Sequence, residues 1–175
     1  MRNLSRVSLA VAVSAALVGS IALPATAAPT ADTTVTVLVE PGVLSVSAPG
    51  TANLGTVTPG GTTSVPLTAV QVTDNRAGVT GWQAQVILTG FVGTAVPART
   101  IPASAATYTP AAPTVTGTAT VTPATQVDLS TAKTVQTATA VSGNNTATWD
   151  ASLSILAPAG TLADTYTATM THSFL

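Results

Sequence analysis

The chain has 175 residues, of which 6% are charged, with a formal net charge of −1 and no cysteine. Lysine and arginine number only 5, too few and too scattered to neutralise a run of phosphates, so no nucleic-acid partner is expected. Without cysteine there is no disulfide framework, zinc thiolate or thiol nucleophile.

The first residues read as a leader rather than as part of the fold. "MRNLSR" is basic through Arg2 and Arg6, an uncharged apolar run follows from Val7 to Leu23, and Ala25-Thr26-Ala27 has the small-x-small form of a signal-peptidase site. Cleavage is expected after Ala27. This leaves residues 28–175 as one domain, large enough to bury a core without staples, with no membrane contact once the leader is removed. Beyond it the bases are Arg76, Arg99 and Lys133, and the acids are Asp32, Glu40, Asp74, Asp128, Asp150 and Asp164.

Threonine, valine and alanine dominate the rest, with glycine and proline at short intervals, and alternation with a period of two recurs. Strands are expected over "TTVTVLVE" (Thr33 to Glu40), "VLSVS" (Val43 to Ser47) and "VPLTAVQVTD" (Val65 to Asp74), with a turn at Gly60-Gly61. "GWQAQVILTG" puts Trp82, Ala84, Val86 and Leu88 on one face. Val92 to Pro113, rich in proline, reads as loop with a short strand near Ala105 to Thr109. "TVTGTATVT" (Thr114 to Thr122) and "KTVQTATAV" (Lys133 to Val141) follow, and "SGNN" (Ser142 to Asn145) reads as a turn. "TATWDASLSIL" then places Trp149, Ala151, Leu153 and Ile155 on one face, and the last strand sets Tyr166, Ala168, Met170, His172 and Phe174 against a hydroxyl face. Short strands, Gly/Pro turns and no helical period imply an all-β fold. The expected form is an antiparallel β-sandwich of immunoglobulin-like, Greek-key type, with closure into a barrel as the alternative.

Catalytic equipment is sparse. His172 is the sole histidine, and its neighbour Ser173 alternates to the opposite face, so the two do not form a nucleophile–base pair. The acids form no recognisable pair, and the turn residues Asp74, Asn75, Asn144 and Asp150 lack the spaced ladder of a calcium loop. No enzyme activity, cofactor or metal is expected. Both tryptophans fall on apolar faces, where an indole normally fills a core; an exposed glycan platform is the rival reading.

Two stretches resemble a known family. "VQVTDNRAGVTGWQAQVILTGF" looks like the first block of WxL-domain proteins, and "TATWDASLSILAPAGTLADTYTATMTHSFL" like the second, the likeness running from Val35 to Leu175. The matching positions are Asp74, Arg76, Gly81, Trp82 and Tyr166. The two Trp-x-Leu tripeptides that name the family are replaced here by Trp82-Gln83-Ala84 and His172-Ser173-Phe174. The resemblance implies a secreted β-rich module held noncovalently on the bacterial cell wall through peptidoglycan, with no LPxTG-type sorting signal at "THSFL". The alternative is a structural or adhesive subunit assembling with other surface proteins. The candidate ligand-binding residues are Trp82, Asp74, Arg76, Trp149, Tyr166 and His172.

Overall fold

Stiff threonine and valine side chains favour a pleated backbone, and the computed structural model, which describes residues 30–175, follows that preference. The expected leader, residues 1–27, lies outside them. The strands are β1 (Leu44–Ser47), β2 (Thr62–Asp74), β3 (Trp82–Leu88), β4 (Phe91–Gly93), β5 (Thr100–Ile101), β6 (Ala106–Pro110), β7 (Thr114–Pro123), β8 (Gln126–Val127), β9 (Lys133–Leu156), β10 (Tyr166–Thr167) and β11 (Met170–Phe174). All their pairings are antiparallel. They belong to one compact unit, Val39–Leu175.

β9 organises the main sheet. Its C-terminal half pairs with β2, which pairs with β1; its N-terminal half pairs with β3, which pairs with β11. β1 and β11 lie beside each other without pairing, which all but closes the circuit. On the opposite edge of β9 run β6 and β7, and β8 pairs back onto β6. The Gln126 side chain of β8 donates to the Thr134 carbonyl at 2.7 Å, tying that flank to the start of β9. The main sheet is therefore nearly closed and barrel-like rather than a clear pair of stacked sheets. A separate small sheet has the order β10-β4-β5.

The reason is a corner within β9. "SGNN" is not a turn between two strands but part of a single 24-residue strand. On its N-terminal side Val135 is buried at the register shift opposite β3, and Gln136 and Ala138 are buried beyond it; on its C-terminal side Ala147, Trp149, Ala151, Leu153 and Ile155 are. The inward parity thus changes from even to odd, and the slip falls at Thr139-Ala140, both exposed, with Ala140 at φ 50° and Gly143 at φ 70°. The partner β7 shifts register opposite, between Gly117 and Thr120. Bulges of this kind bend a strand and let it pass from one wall of a sheet to another. β2 has a smaller version: its parity changes at Thr68-Ala69, where Ala69 has φ 56° and its N–H is received by the Asp150 carboxylate at 2.9 Å.

Other expectations change more locally. Residues Thr33 to Glu40 form no strand and lie exposed, because among the described residues nothing pairs with them. The stretch read as loop contains β4 and β5 as well as β6. The last strand is broken at Ala168-Thr169, where the Thr169 N–H turns to the Thr89 hydroxyl at 2.9 Å. The core sits inside the curled sheet, centred on Val70, Val72, Trp82, Val86, Tyr108, Leu129, Val135 and Trp149.

The corner sets a testable demand. Gly117 has φ 84°, and a Cβ there would run into the Asn144 carbonyl of β9. Gly117→Ala is expected to lower the unfolding free energy by about 1–3 kcal/mol, the usual scale of such backbone strain. A urea midpoint measures this, with Gly50→Ala, where a Cβ meets open space, expected to change little.

Candidate functional site

β2 ends on Asp74, and the chain reverses through "NRAGVTG" into β3. Asp74 is 2% exposed, and such a carboxylate needs partners. Arg76 supplies them: its backbone N–H donates to Oδ1 at 3.1 Å, its Nε to Oδ1 at 2.9 Å and its Nη2 to Oδ2 at 2.9 Å. This two-pronged grip holds the Asp74 carboxyl below its usual pKa. Arg76 also donates to the carbonyls of Thr80 (3.1 Å) and Gly81 (3.3 Å), so one side chain closes the whole reversal. Gly81 is required because any Cβ would collide with the Ala138 carbonyl. Next to it, Trp82 buries its ring and donates its indole N–H to Asn145 Oδ1 at 3.1 Å, while Asn145 Nδ2 donates to Asp74 Oδ2 at 3.4 Å. Asp74, Arg76, Trp82 and Asn145 are thus one network that locks the β2–β3 reversal onto β9.

Trp149 belongs to a second interior cluster. It is 2% exposed and donates its indole N–H to the Tyr108 hydroxyl at 3.2 Å. Burial pushes the Tyr108 phenol up to about 12. The His172 ring packs against Tyr108 edge-on, centroids 6.1 Å apart and planes at 66°. His172 Nε2 has no hydrogen-bond partner among the described residues, and burial lowers its pKa. Neither tryptophan offers a platform; both fill the core.

Tyr166 has no hydrogen bond to either cluster, although its half-buried ring packs against the same core. It lies on β10 of the small sheet, half-buried, its hydroxyl donating to the Leu162 carbonyl at 2.8 Å. With Arg99, Thr100, Pro158, Gly160, Thr161 and Leu162 it lines an open groove of about 300 Å³. Asp164 is held away from this chemistry. It accepts from the Thr94 hydroxyl at 2.6 Å and the Ala95 N–H at 2.9 Å, bonds that bring its carboxyl down to about 2. Arg99 makes no ion pair among the described residues. Among those residues no three His, Asp or Glu side chains gather in a way that could hold a metal ion, and no helix is long and apolar enough to cross a membrane.

The structure therefore divides the candidate residues three ways. Trp82, Asp74 and Arg76 meet in one network, Trp149 and His172 meet through Tyr108, and Tyr166 joins a surface groove. Asn145, Tyr108 and Arg99 were not singled out from the sequence. Asn145 shares the inward parity of Trp149 and was legible in that way; Tyr108 likewise alternates with Ala106. Nothing around Arg99 marks it. No protein-family model matches the chain, and no curated protein matches it.

Two outcomes follow from these networks. Asn145→Ala leaves the Trp82 N–H without its acceptor and takes one of several donors from Asp74, and should cost about 1–3 kcal/mol by chemical denaturation. Acid should destabilise the fold in two steps. His172 is depressed below its ordinary 6.5, so its contribution is complete above that pH and is lost as the pH falls towards the folded value. Asp74, depressed below 3.8, adds a second loss only under that pH. Thermal midpoints measured between pH 7.5 and 5 should fall, and His172→Phe should flatten that decline.

Proposed function

We propose that this chain is a noncatalytic, exported cell-surface module that associates noncovalently with bacterial cell-wall peptidoglycan. The observation that carries the reading is the groove between β10 and the Arg99 loop, lined by a half-buried tyrosine and by an arginine that has no ion pair among the described residues. An aromatic ring suits the apolar face of a sugar, and a guanidinium suits a carboxylate. Peptidoglycan presents both, through its glycan strand and its acidic peptide stems. The leader-like N-terminus and the resemblance to WxL domains agree with export to the cell surface. The finer architecture proposed with it is an immunoglobulin-like, Greek-key sandwich, flattened so that the walls on either side of the β9 corner act as its two faces.

The noncatalytic part rests on what the titratable groups already do. Asp74 is clamped by Arg76, Asp150 caps the β2 bulge, Asp164 holds the Thr94-Ala95 turn, and Asp128 accepts from the Ser130 hydroxyl. The lone histidine is half-buried and held neutral. General acid–base catalysis needs positioned groups free to exchange protons with a substrate.

Sedimentation with purified peptidoglycan tests the proposal. The protein should co-sediment, and Tyr166→Ala and Arg99→Gln should each weaken retention about five- to tenfold, the scale of one lost stacking or charge-assisted contact. A protein that stays in the supernatant removes the reading.

A further inference from the structure

The segment "TTVTVLV", Thr33 to Val39, has a strand's alternation and β-branched content, yet it forms no strand. Its apolar side chains stand in solvent: Val35 is 87% exposed, Val37 83%, Leu38 77% and Val39 73%. No backbone hydrogen bond involves it among the described residues. A run of this composition, left open, is a strand without a sheet.

The fold has a matching deficiency. Among the described residues β7 pairs only with β9, so there its outer edge presents unpaired backbone groups along Thr114–Pro123. Natural edges are usually guarded by lysine, by proline or by shortness. β7 is 10 residues long and carries no charge; its irregularity at Gly117 and its final Pro123 are the only guards. Its inward side chains Val115, Ala119 and Val121 are only partly buried at the rim of the core. Its outward side chains are threonines at 114, 116, 118, 120 and 122, the same hydroxyl face that Thr34 and Thr36 would extend.

We propose that residues 33–39 of one copy add as an antiparallel strand to the free edge of β7 in a second copy. The segment's Val35, Val37 and Val39 then continue the Val115–Ala119–Val121 face, and Thr34 and Thr36, followed by Leu38, continue the outer one. Main-chain hydrogen bonds supply the contact, and the shared two-residue alternation supplies the fit. An extended, uncharged strand is what an uncharged edge accepts, and this chain carries one in every copy. Each copy has both a donor segment and an acceptor edge, so the exchange closes as a reciprocal pair or continues from copy to copy as a ring or chain. The contact is separate from the Tyr166–Arg99 groove and does not depend on wall binding.

The test uses the protein purified from a host that exports it. Light scattering should show a mass that rises above the monomer with concentration, and removal of residues 30–38, which lie outside the compact unit, should restore the monomer. Because the chain has no cysteine, Thr36→Cys protein mixed with Thr118→Cys, Thr120→Cys or Thr122→Cys protein should give a disulfide-linked heterodimer under oxidation for at least one pairing. Val37→Asp should suppress both signals. A monomer at all concentrations with no cross-link overturns the proposal. So does assembly that persists without residues 30–38, or a cross-link confined within one molecule carrying both cysteines.

Discussion

The corner in β9 is the constraint on which the rest depends. A strand that changes its inward parity partway along cannot serve one flat sheet. By turning at Thr139–Gly143 it gives its first half to β3 and β11 and its second half to β2 and β1. Closure is then nearly automatic, since both walls share a strand and need only meet at β1 and β11. Gly143 and Gly117 supply left-handed backbone on the two sides of the bend, and Ala140 adopts it at the strain that a Cβ imposes. An interior of mostly small and branched side chains follows, because tightly curled walls leave little space between them.

Polar groups are admitted to that interior only where they fix geometry. Asp74, Asn145 and Gln136 are its buried polar residues among those described. The first two hold the β2–β3 reversal against β9 and orient Trp82. Gln136 donates to the Ala111 carbonyl at 3.1 Å, bridging the gap between β6 and β7, while its Oε1 is left without a partner. The two tryptophans repeat one solution with different means: each buries its ring on an alternating strand and sends its N–H to a buried oxygen, from Asn145 in one case and Tyr108 in the other. Such networks add little net energy per bond but are costly to break, which makes them effective at selecting one register.

Much of this was legible from alternation. The faces of β3 and of the Trp149 segment follow the two-residue period residue for residue, as do the Gly60-Gly61 turn and the burial of both indoles. The misreadings share one cause. "SGNN" has turn composition, but turn composition also bends a strand, and the choice is made by β7, which runs past it, and by β2, which ends opposite Asn145. "TTVTVLVE" has strand composition, but a strand exists only with a neighbour. Local preference specifies what a segment can become; pairing at long sequence separation decides what it is. The same limit hid Arg99, whose place in the groove with Tyr166 comes from a loop and a strand far apart in the chain.

The late position of β9 has a consequence for how the molecule comes into being. Strands β2, β3, β6 and β7 all take their principal partner from residues 133–156. Until that stretch is present, the earlier three-quarters of the polypeptide has edges but no centre, because its long strands lack the partner they share. Completion of the main sheet therefore waits on the C-terminal quarter of the chain, which holds the strand that the others share.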